Sequence, residues 1–459
     1  MPQGPASMAQ AELISRVEAV LRQRVAAGQE LLLGLSGGVD SVVLLDLLAR
    51  LRGSLGFRLS ALHVNHRINP AAGQWAAFCE RLCRARDVPL EQVAVEVRRR
   101  PGESLEAAAR EARYRAFRGR RADFVVLAHH LDDQAETLLL QLLRGAGLKG
   151  MSAMPEAGAL APGAPPEAPR PALLRPLLEV PRVTLEAYAR ENGLSWVEDV
   201  SNLDLAFDRN YLRHRVFPIL EKRFPAYRKT FHRASRHLAE AAQLLDQLAR
   251  MDAAHAVAGG RLDVDALRAL GAARAKNLLR CYLEGRGLLM PSARRLDEVL
   301  RQLEDARPDA RVRIALGEYE MRRFKGQAYL QRKAAPPADG LCRPWQGEEA
   351  LELPGLGGIL RFEAVTGAGI SLESLAGGPV TVRSRRGGER MRPDCKRPER
   401  TLKNLFQEAE LPPWRRQALP LLFCAERLVC APGIGVDCAY QAAPGEPGLV
   451  VVWRELEGP

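Results

Sequence analysis

The sequence predicts an α/β protein in which a parallel sheet comes first, a small helical domain second and an α+β carboxyl-terminal domain third. Between residues 30 and 130, apolar runs of strand length alternate with amphipathic stretches of helix length, which is typical of repeated βαβ units. From about residue 223 to 301 the apolar spacing is helical throughout, and the remainder is Gly-rich and short-stranded. We predict domains at 1–222, 223–335 and 345–459.

The elements of the first domain follow one another in the order that a parallel sheet requires. We predict strands at 30–35, 59–64, 92–97 and 123–128, separated by helices at 39–50, 71–86 and 103–120. Because parallel strands end at one edge of their sheet, we expect an active site directly after Leu35, Val64 and Ala128. A helix-then-strand pattern at 182–198 continues this domain beyond the Pro-rich stretch 155–172, which we interpret as a mobile loop without a catalytic role.

The second and third domains have different patterns. Apolar residues at helical spacing predict helices within 236–250, 264–284 and 292–303, and a hairpin follows within 312–330. A Pro-rich joint at 335–345 then leads into the strongly basic third domain.

Composition excludes whole classes of protein. A chain of 459 residues with 47% hydrophobic content is neither disordered throughout nor a mini-domain. No apolar run approaches the roughly 18 residues of a membrane span, and no signal-peptide pattern opens the sequence, so we expect a soluble, cytoplasmic protein. The eight Cys form no CxxC pair, which predicts reduced thiols rather than disulfides or a metal site.

The net charge of +12 is concentrated in two stretches. Residues 209–236 carry nine Arg or Lys against one Glu, and residues 381–403 carry nine against three acids. Two basic patches on different predicted domains favour an extended polyanion held at two places, and two solvated faces are the alternative.

The segment SGGVDS directly follows the first predicted strand and opens a helix. Its glycines allow a tight turn, and the helix amino end adds positive potential, so the loop predicts a phosphate cradle, with a purely structural turn as the alternative. A carboxylate beside phosphates is repulsive unless a divalent cation bridges them, so Mg²⁺ is expected at Asp40. No GxxxxGK[ST] loop is present. The cradle residues are Ser36, Gly37, Gly38, Val39, Asp40 and Ser41.

This loop resembles the PP-loop of the ATP pyrophosphatase superfamily, whose members cleave ATP between the α- and β-phosphates. The resemblance implies an adenine nucleotide α-hydrolase-like fold and ATP as cosubstrate, but it does not choose among the families of that superfamily.

Further motifs narrow the choice, and the set resembles the tRNA(Ile)-lysidine synthetase family in its longer, three-domain form. Departures include Arg67, where Gly is usual, and Val200 within a DPSN-like segment. A KKLKDLF-like segment at 400–406 also lacks one base and one acid. The motifs are HVNHRIN (63–69), AHHLDDQAETLLLQLLRGAGLKGM (128–151), RPLLEVPR (175–182), SWVEDVSNLDLAFDRNYLRHRVFPIL (195–220), RSRRGGERMRPDCKRPERTLKNLF (383–406), PPWRRQALPLL (412–422) and APGIGVD (431–437).

The resemblance implies an activity with ATP, Mg²⁺, free L-lysine and tRNA(Ile) bearing a CAU anticodon, and no obligate protein partner or membrane. Oxygen 2 of the wobble cytidine would attack the α-phosphate, and the lysine amine would then replace AMP at carbon 2 of this adenylated intermediate. Asp133 and Glu136 would bind and activate lysine, with the general base left open between them. Arg209 would stabilise the adenylate or the α-phosphate, and His63 and Asn65 would line the adenine pocket.

Simpler interpretations stand beside these roles. Glu136 is alternatively an ion-pair partner only, and Asp132 is expected to cap its helix rather than act in catalysis. His129 and His130 have no third ligand at matching spacing, so they are expected to orient their loop.

Contact with tRNA is expected on both basic stretches. In the third domain Trp414 or Phe406 would stack on unpaired bases, with a buried structural Trp as the alternative. The predicted tRNA-binding residues are Arg213, Arg215, Lys222, Arg223, Arg228 and Lys229 at the entry to the helical domain, and Arg390, Arg392, Lys403, Trp414, Arg415 and Arg416 in the third domain.

Three other functions compete with this interpretation. A PP-loop tRNA thiolase would need reactive cysteines near the strand ends, whereas Cys79 and Cys83 lie four residues apart on an amphipathic helix. A glutamine-dependent ligase such as a GMP synthetase would leave both basic stretches unexplained. An RNA-binding protein with an inactive ATP site is disfavoured because the predicted catalytic acids and arginine are all present.

Overall fold

The computed structural model describes residues 5–67, 69–99, 104–160, 171–307, 310, 312–333 and 340–455. The chain divides into two compact units, one of residues 1–252 with 277–290 and one of residues 253–276 with 291–459. Within the described residues, no helix is both long and apolar enough to cross a membrane.

The first unit is built on a six-stranded sheet in the order β3-β2-β1-β4-β6-β5, parallel except for β5. Its strands are β1 (Glu30–Gly34), β2 (Arg58–Asn65), β3 (Leu90–Ala94), β4 (Phe124–Val126), β5 (Ala157–Ala159) and β6 (Ala172–Leu174). Its helices are α1 (Pro5–Arg24), α2 (Val39–Leu55), α3 (Ala72–Arg84), α4 (Leu105–Arg118), α5 (Leu131–Leu143), α6 (Leu148–Met151), α7 (Arg182–Glu191), α8 (Asp208–Tyr211), α9 (Phe217–Arg223) and most of α10 (Tyr227–Ala256).

The core of this unit explains the sequence pattern of its central elements. Leu31, Leu32 and Leu33 of β1 are all buried, as expected for a parallel strand covered on both faces by helices. Every residue of α2 from 41 to 48 is buried as well, which makes α2 the central helix of the unit. The predicted α/β fold class is thereby confirmed.

Two expectations for the first unit need correction. The strand expected after the helix at 182 is absent from the described residues 192–199, because Trp196 packs on the core and the Val197 N–H donates to the Gly37 carbonyl at 3.0 Å. The Pro-rich stretch 155–172 is not loop throughout, since β5 and the start of β6 lie within it and pair with each other. Its residues 161–170 lie outside the described residues.

The second unit is richer in strands than its sequence suggested. The short pair β7 (Val257–Ala258) and β8 (Arg261–Asp263) extends the predicted hairpin region into a five-stranded sheet in the order β7-β8-β11-β10-β9. The other elements of this region are α11 (Val264–Ala269), α12 (Ala272–Glu284), which runs across the division between the units, α13 (Ala293–Asp305), β9 (Arg313–Leu316), β10 (Tyr319–Phe324) and β11 (Gln327–Arg332).

The carboxyl-terminal part contains two antiparallel sheets, β12-β16-β19-β20-β21 and β13-β14-β22-β15, and the two-stranded ribbon β17-β18. Its helices are α14 (Leu372–Leu375), α15 (Leu402–Glu408) and α16 (Pro413–Ala418). Its strands are β12 (Cys342–Pro344), β13 (Ala350–Leu353), β14 (Gly358–Thr366), β15 (Ile370–Ser371), β16 (Val380–Arg383), β17 (Arg390–Met391), β18 (Arg400–Thr401), β19 (Leu421–Cys424), β20 (Arg427–Ala431), β21 (Gly435–Val436) and β22 (Pro447–Glu455).

The expectation that all cysteines are reduced is wrong for one pair. Cys395 and Cys438 form a disulfide with their Cα atoms 5.5 Å apart. Tertiary hydrogen bonds bring the two segments together: the Arg392 N–H donates to Asp437 at 2.7 Å, and the Cys438 N–H donates to the Arg392 carbonyl at 2.8 Å. Residue spacing in the sequence does not predict tertiary hydrogen bonds between segments so far apart.

Candidate active site

The loop between β1 and α2 is held in shape by its own hydroxyl groups. Ser41 Oγ accepts hydrogen bonds from the backbone N–H groups of Ser36 and Gly37, both at 3.2 Å, and donates to the Gly38 carbonyl at 3.0 Å. Ser36 Oγ lies 3.1 Å from Ser41 Oγ and accepts from the Gly38 N–H at 3.3 Å. The turn is therefore fixed at the amino end of α2, where the helix dipole favours an anion.

Gly37 cannot be replaced without disturbing this loop. Its φ of +89° lies in the left-handed region, and a Cβ added there would be 2.9 Å from the side chain of Val197 and 3.2 Å from Cys79 Sγ. The glycine is therefore required both by the turn and by the chain that packs over it.

Asp40 provides the carboxylate of the loop. Its Oδ1 is buried and has no hydrogen-bond partner among the described residues, and its Oδ2 lies 3.6 Å from His130 Nε2. Carboxylate oxygens are the ligands that Mg²⁺ prefers, and an unpaired buried carboxylate oxygen is costly unless a cation meets it. The residue therefore fits the predicted magnesium ligand.

The amino end of α5 brings His130 and Asp133 next to Asp40. Asp133 Oδ2 accepts a hydrogen bond from the backbone N–H of His130 at 3.0 Å and lies 3.5 Å from His130 Nε2. The buried imidazole thus lies between the carboxylate of the loop and the carboxylate of the helix. The structure joins these two predicted site residues through a histidine that we expected only to orient its loop.

Glu136 lies one turn further along α5 and is paired with two arginines. Its Oε2 accepts from Arg209 Nε at 2.7 Å, and its two oxygens accept from Arg213 Nε at 2.7 Å and Arg213 Nη2 at 3.0 Å. The same guanidinium groups approach Asp133 Oδ1 at 3.9 and 3.7 Å. Arg209 also donates to Thr137 Oγ1 at 3.2 Å.

The charges of this cluster determine its protonation. Burial raises the pKa of Asp133, but His130, His129 and Arg209 together hold the pKa of that carboxyl well below its usual range. Burial lowers the pKa of His130, whereas Asp133 and Asp40 raise it to about 9. Mainly through burial, the pKa of His129 falls to about 3. At neutral pH Asp133 is therefore ionised, and the two neighbouring histidines differ in charge.

Asp132 does not cap α5 as expected. Its Oδ2 accepts from the backbone N–H of Arg182 at 2.9 Å, and its Oδ1 pairs with Arg228 Nε at 2.5 Å. The cap hydrogen bond is made by Asp133 instead, because the N-cap residue is His130 and the reciprocal partner lies three residues after it.

His63 and Asn65 lie at the carboxyl end of β2, as the strand pattern predicted. His63 is buried, and its Nδ1 lies 2.9 Å from the Leu35 carbonyl and 3.6 Å from Cys79 Sγ. Asn65 Oδ1 accepts from the backbone N–H of Arg67 at 2.8 Å, and Arg67 has a φ of +56°, the region that favours glycine. The adenine-pocket assignment of both residues stays a prediction.

The first basic stretch is used in two different ways. Arg213 and Arg228 are half-buried and bound to carboxylates of α5, and Arg228 also pairs with Glu221 at 2.6 Å. Four other predicted tRNA-binding residues are exposed and have no ion-pair partner in the described part of the chain: Arg215, Lys222, Arg223 and Lys229.

In the second unit, some of the predicted tRNA-binding residues form an ion pair or a hydrogen bond, and others are exposed without an ion pair among the described residues. Arg390 pairs with Glu399 at 2.9 Å, whereas Arg392 and Lys403 are exposed and no described side chain forms an ion pair with them. Arg415 is exposed, and Arg416 donates to the Leu411 carbonyl at 2.7 Å. The basic stretch therefore contains both locally neutralised and unneutralised cations.

The aromatic predictions have different outcomes. Phe406 is fully buried, so its expected stacking on bases is wrong. Trp414 is half-buried, with its ring centroid 6.2 Å from that of Phe324 and 5.4 Å from that of Tyr329, both edge-on. Arg322 lies over the same indole at 5.1 Å. This packing favours the structural alternative for Trp414.

Sequence reasoning missed several residues around the site. Arg175 is buried at the end of β6 and donates to His129 Nδ1 at 3.2 Å and to the Pro155 carbonyl at 2.7 Å. Glu106 of α4 lies 3.6 Å from Arg209. Arg175 follows a strand of the sheet, so the rule that placed the other candidates at strand ends could have found it.

The loop from Ser36 to Ser41 follows the central parallel strand β1, and acids lie at the amino end of α5, the helix after β4. Together these features define a PP-loop enzyme that binds ATP. Known families match the chain in three places: the PP-loop domain at residues 9–220, the TilS substrate binding domain at 262–329 and the TilS substrate C-terminal domain at 380–453. Proteins named tRNA(Ile)-lysidine synthase are 50% and 42% identical to this chain over nearly its whole length. The chain therefore belongs to that family of carbon–nitrogen ligases in tRNA modification, and the resemblance found in the motifs is confirmed.

Relatives cover nearly the whole chain. The tRNA(Ile)-lysidine synthase of Nitrosomonas europaea is 50% identical over 439 residues, 95% of this chain and 94% of that protein. The tRNA(Ile)-lysidine synthase of Azoarcus sp. is 42% identical over 443 residues, 96% of each chain. Among solved structures, a U34-tRNA thiolase from Methanococcus maripaludis aligns with a TM-score of 0.45 and 17% identity over 51% of this chain and 80% of that one.

Proposed function

We propose that the protein joins free L-lysine to carbon 2 of the wobble cytidine of tRNA(Ile) with a CAU anticodon, through an adenylated cytidine and with release of AMP and pyrophosphate. The observation that carries this proposal is an ionised carboxylate beside the PP-loop: Asp133 lies 3.5 Å from His130, which lies 3.6 Å from Asp40. The side chain of free lysine arrives as an ammonium ion, and an anion next to the bound nucleotide attracts it and can accept the proton that must leave before the nitrogen attacks.

The first step turns a poor leaving group into a good one. Oxygen 2 of cytosine attacks the α-phosphate, and pyrophosphate departs. The loop from Ser36 to Ser41 would hold the phosphates, and Asp40 would hold Mg²⁺, which neutralises phosphate charge when bound. Arg209 is the nearby cation suited to the α-phosphate, because a guanidinium can bind two phosphate oxygens at once.

The second step needs a neutral amine. The side-chain amine of lysine has a pKa near 10.4, so its deprotonation at pH 7 costs roughly 4 to 5 kcal/mol. Asp133 is ionised and accessible enough to attract the ammonium group, with 14% of its side chain exposed. Asp133 accepts a proton from the ammonium group, which frees the nitrogen lone pair to form a bond to carbon 2. The bond from carbon 2 to oxygen then breaks with its electron pair leaving on AMP, and the second proton lost by the nitrogen goes to solvent.

Among the described residues, Cys79 packs against the loop and Cys83 lies one turn further along α3, and neither thiol suits the competing thiolase chemistry. Burial raises the pKa of Cys79 to about 12, and burial raises that of Cys83 to about 11. Both thiols are therefore protonated at neutral pH, and only a thiolate is an effective sulfur nucleophile or metal ligand.

The decisive experiment incubates the full chain with Mg²⁺, α-labelled ATP and unmodified tRNA(Ile) with a CAU anticodon, with and without lysine. We expect AMP release and a lysine-dependent mass increase on one cytidine of the digested tRNA. AMP release with unchanged nucleosides would show that the substrate is wrong, and no AMP release would favour an RNA-binding protein without catalysis.

A further inference from the structure

Both carboxylate oxygens of Glu136 are occupied by hydrogen bonds from the two arginines that surround it. Only 2% of its side chain is exposed, and both carboxylate oxygens accept charge-assisted hydrogen bonds of 2.7 to 3.0 Å from Arg209 and Arg213. A lysine ammonium could reach Glu136 only by displacing one of these guanidinium groups. Asp133 meets the same arginines only at 3.7 and 3.9 Å and is more exposed.

The local fold directs both arginines to one point. Arg209 and Arg213 are four residues apart, so they share a face of the helical segment formed by α8 and the π-helical turn at 212–216. Leu212 in that turn is buried in a cluster that includes Ala135 of α5. The segment is therefore packed against the helix that carries Glu136, and π-turns of this kind are frequent at functional sites.

The arginines keep donors that Glu136 does not use. Arg213 binds Glu136 through Nε and Nη2, and its Nη1 makes no hydrogen bond within the described part of the chain. Arg209 and Arg213 are both shared between Glu136 and Asp133, and Asp133 is connected through His130 to Asp40 of the loop. Fixed cations next to the loop are suited to the negative charge that develops when the α-phosphate is attacked.

We propose that Arg213 is a second phosphate-binding residue of the catalytic centre, and that Glu136 is a positioning residue that holds Arg209 and Arg213 rather than a ligand of lysine. The lysine ammonium is then bound by Asp133 alone. This inference rests on the proposed function, because it divides the two acids between the two steps of that reaction.

The chain contains a matched arrangement away from the loop. Glu320 of β10 has 2% of its side chain exposed and accepts from Arg313 Nε at 2.5 Å and Arg322 Nε at 2.6 Å. It is therefore also a buried glutamate between two arginines, on a sheet of the second unit. Glu320→Gln is the control for the structural cost of removing such a carboxylate.

The test separates the two half-reactions in the full chain. Without lysine, pyrophosphate release reports adenylation of the tRNA; with lysine, nucleoside mass reports transfer. For Arg213→Gln and Glu136→Gln we expect adenylation to fall about 100-fold, the effect of losing one preorganised donor, with an unchanged KM for lysine. For Glu320→Gln we expect a lower melting temperature and normal adenylation.

The proposal would be overturned if the variants changed lysine binding rather than the rate of adenylation. If Glu136→Gln adenylates tRNA at the rate of the unchanged protein and raises the KM for lysine tenfold or more, Glu136 is a lysine ligand. If Glu136→Gln does not fold, Arg213→Gln decides alone, since it removes the positive charge but keeps a hydrogen-bond donor: normal adenylation by this variant refutes the role of Arg213. A lack of lysidine with the unchanged protein would instead refute the proposed function.

Discussion

The two basic stretches, 209–236 and 381–403, contain the same number of cationic residues and use them differently. In the first, Arg209, Arg213 and Arg228 bind carboxylates of α5 that lie 73 to 96 residues away in sequence. In the second, most paired cations find acids no more than nine residues away, as Arg390 does with Glu399, although Arg383 pairs with Glu426, 43 residues away.

A high density of positive charge in the sequence therefore does not by itself identify a nucleic-acid-binding surface. An arginine that neutralises a buried carboxylate is part of a folded centre, and its removal leaves an uncompensated buried charge. An exposed cation without a partner contributes mainly a salt-dependent attraction to phosphates. The four predictions below test this distinction.

The largest effect is expected where the carboxylates of α5 meet the first stretch. Asp133→Asn should lower lysine transfer by about 10²- to 10⁴-fold, because an ionised group next to the nucleophile is lost. The affinity for tRNA should not change, since Asp133 is not on an exposed basic surface. Nucleoside mass after digestion and tRNA binding by filter retention measure the two quantities.

Asp132→Asn is the matched control on the neighbouring residue. It removes one partner of Arg228 and a carboxylate 3.8 Å from His130 Nδ1, but it leaves Asp133 ionised beside Arg209 and Arg213, so lysine transfer should remain far above that of Asp133→Asn. Equal losses in the two variants, or a large loss of tRNA binding in Asp133→Asn, would contradict the assignment of Asp133.

The second prediction concerns the aromatic residue near the second stretch. Trp414→Ala should lower the free energy of unfolding by about 3 kcal/mol, because it removes a large side chain packed against Phe324 and Tyr329. Urea unfolding measures this, with Trp414→Phe as the smaller change. A stable Trp414→Ala protein with strongly weakened tRNA binding would instead restore the base-stacking interpretation.

The third prediction compares paired and unpaired cations within the second stretch. Replacing both Arg392 and Lys403 by Ala should weaken tRNA binding and lower the slope of log affinity against log salt by about 2, one for each phosphate contact. Arg390→Ala should have a smaller effect, since Glu399 already neutralises that residue. A reversed order would mean that the Arg390–Glu399 pair opens on binding.

The smallest effect is expected for two neighbours in the first stretch. Lys229→Ala should lower the salt slope by about 1 without changing the melting temperature. Arg228→Ala should leave the slope almost unchanged and lower the melting temperature, because it strips Asp132 and Glu221 of their partner. If both variants change only the salt slope, the two residues belong to one RNA surface.

Much of the fold followed from sequence patterns because those patterns are local. The alternation of strands and helices between residues 30 and 130 placed β1, β2 and β4 within one or two residues of their observed ends. β3 is shifted to Leu90–Ala94, and the short pair β7-β8 was missed, since brief strands near loops carry little periodic signal. The strand expected before residue 198 failed because the chain there packs onto the PP-loop instead.

The candidate site was predicted in part. Strand ends and motifs indicated Asp40, Asp133 and Glu136, and the structure brings these side chains into one connected cluster. Arg213 was expected on a tRNA surface and lies in that cluster instead. Its partner is 77 residues away, and sequence spacing carries no information on such a pair.

The α/β class, the PP-loop and the family could be predicted from the sequence, because each depends on short runs of residues in a fixed order. Only the folded chain shows which cations are neutralised and that Glu136, rather than Asp133, is fully hydrogen-bonded to arginines. It also shows that Trp414 packs against Phe324 and Tyr329 and that Cys395 forms a disulfide with Cys438. The physical reason is range: backbone preference and hydrophobic periodicity act over a few residues, whereas ion pairing, burial and disulfide formation depend on distances that only the folded chain creates.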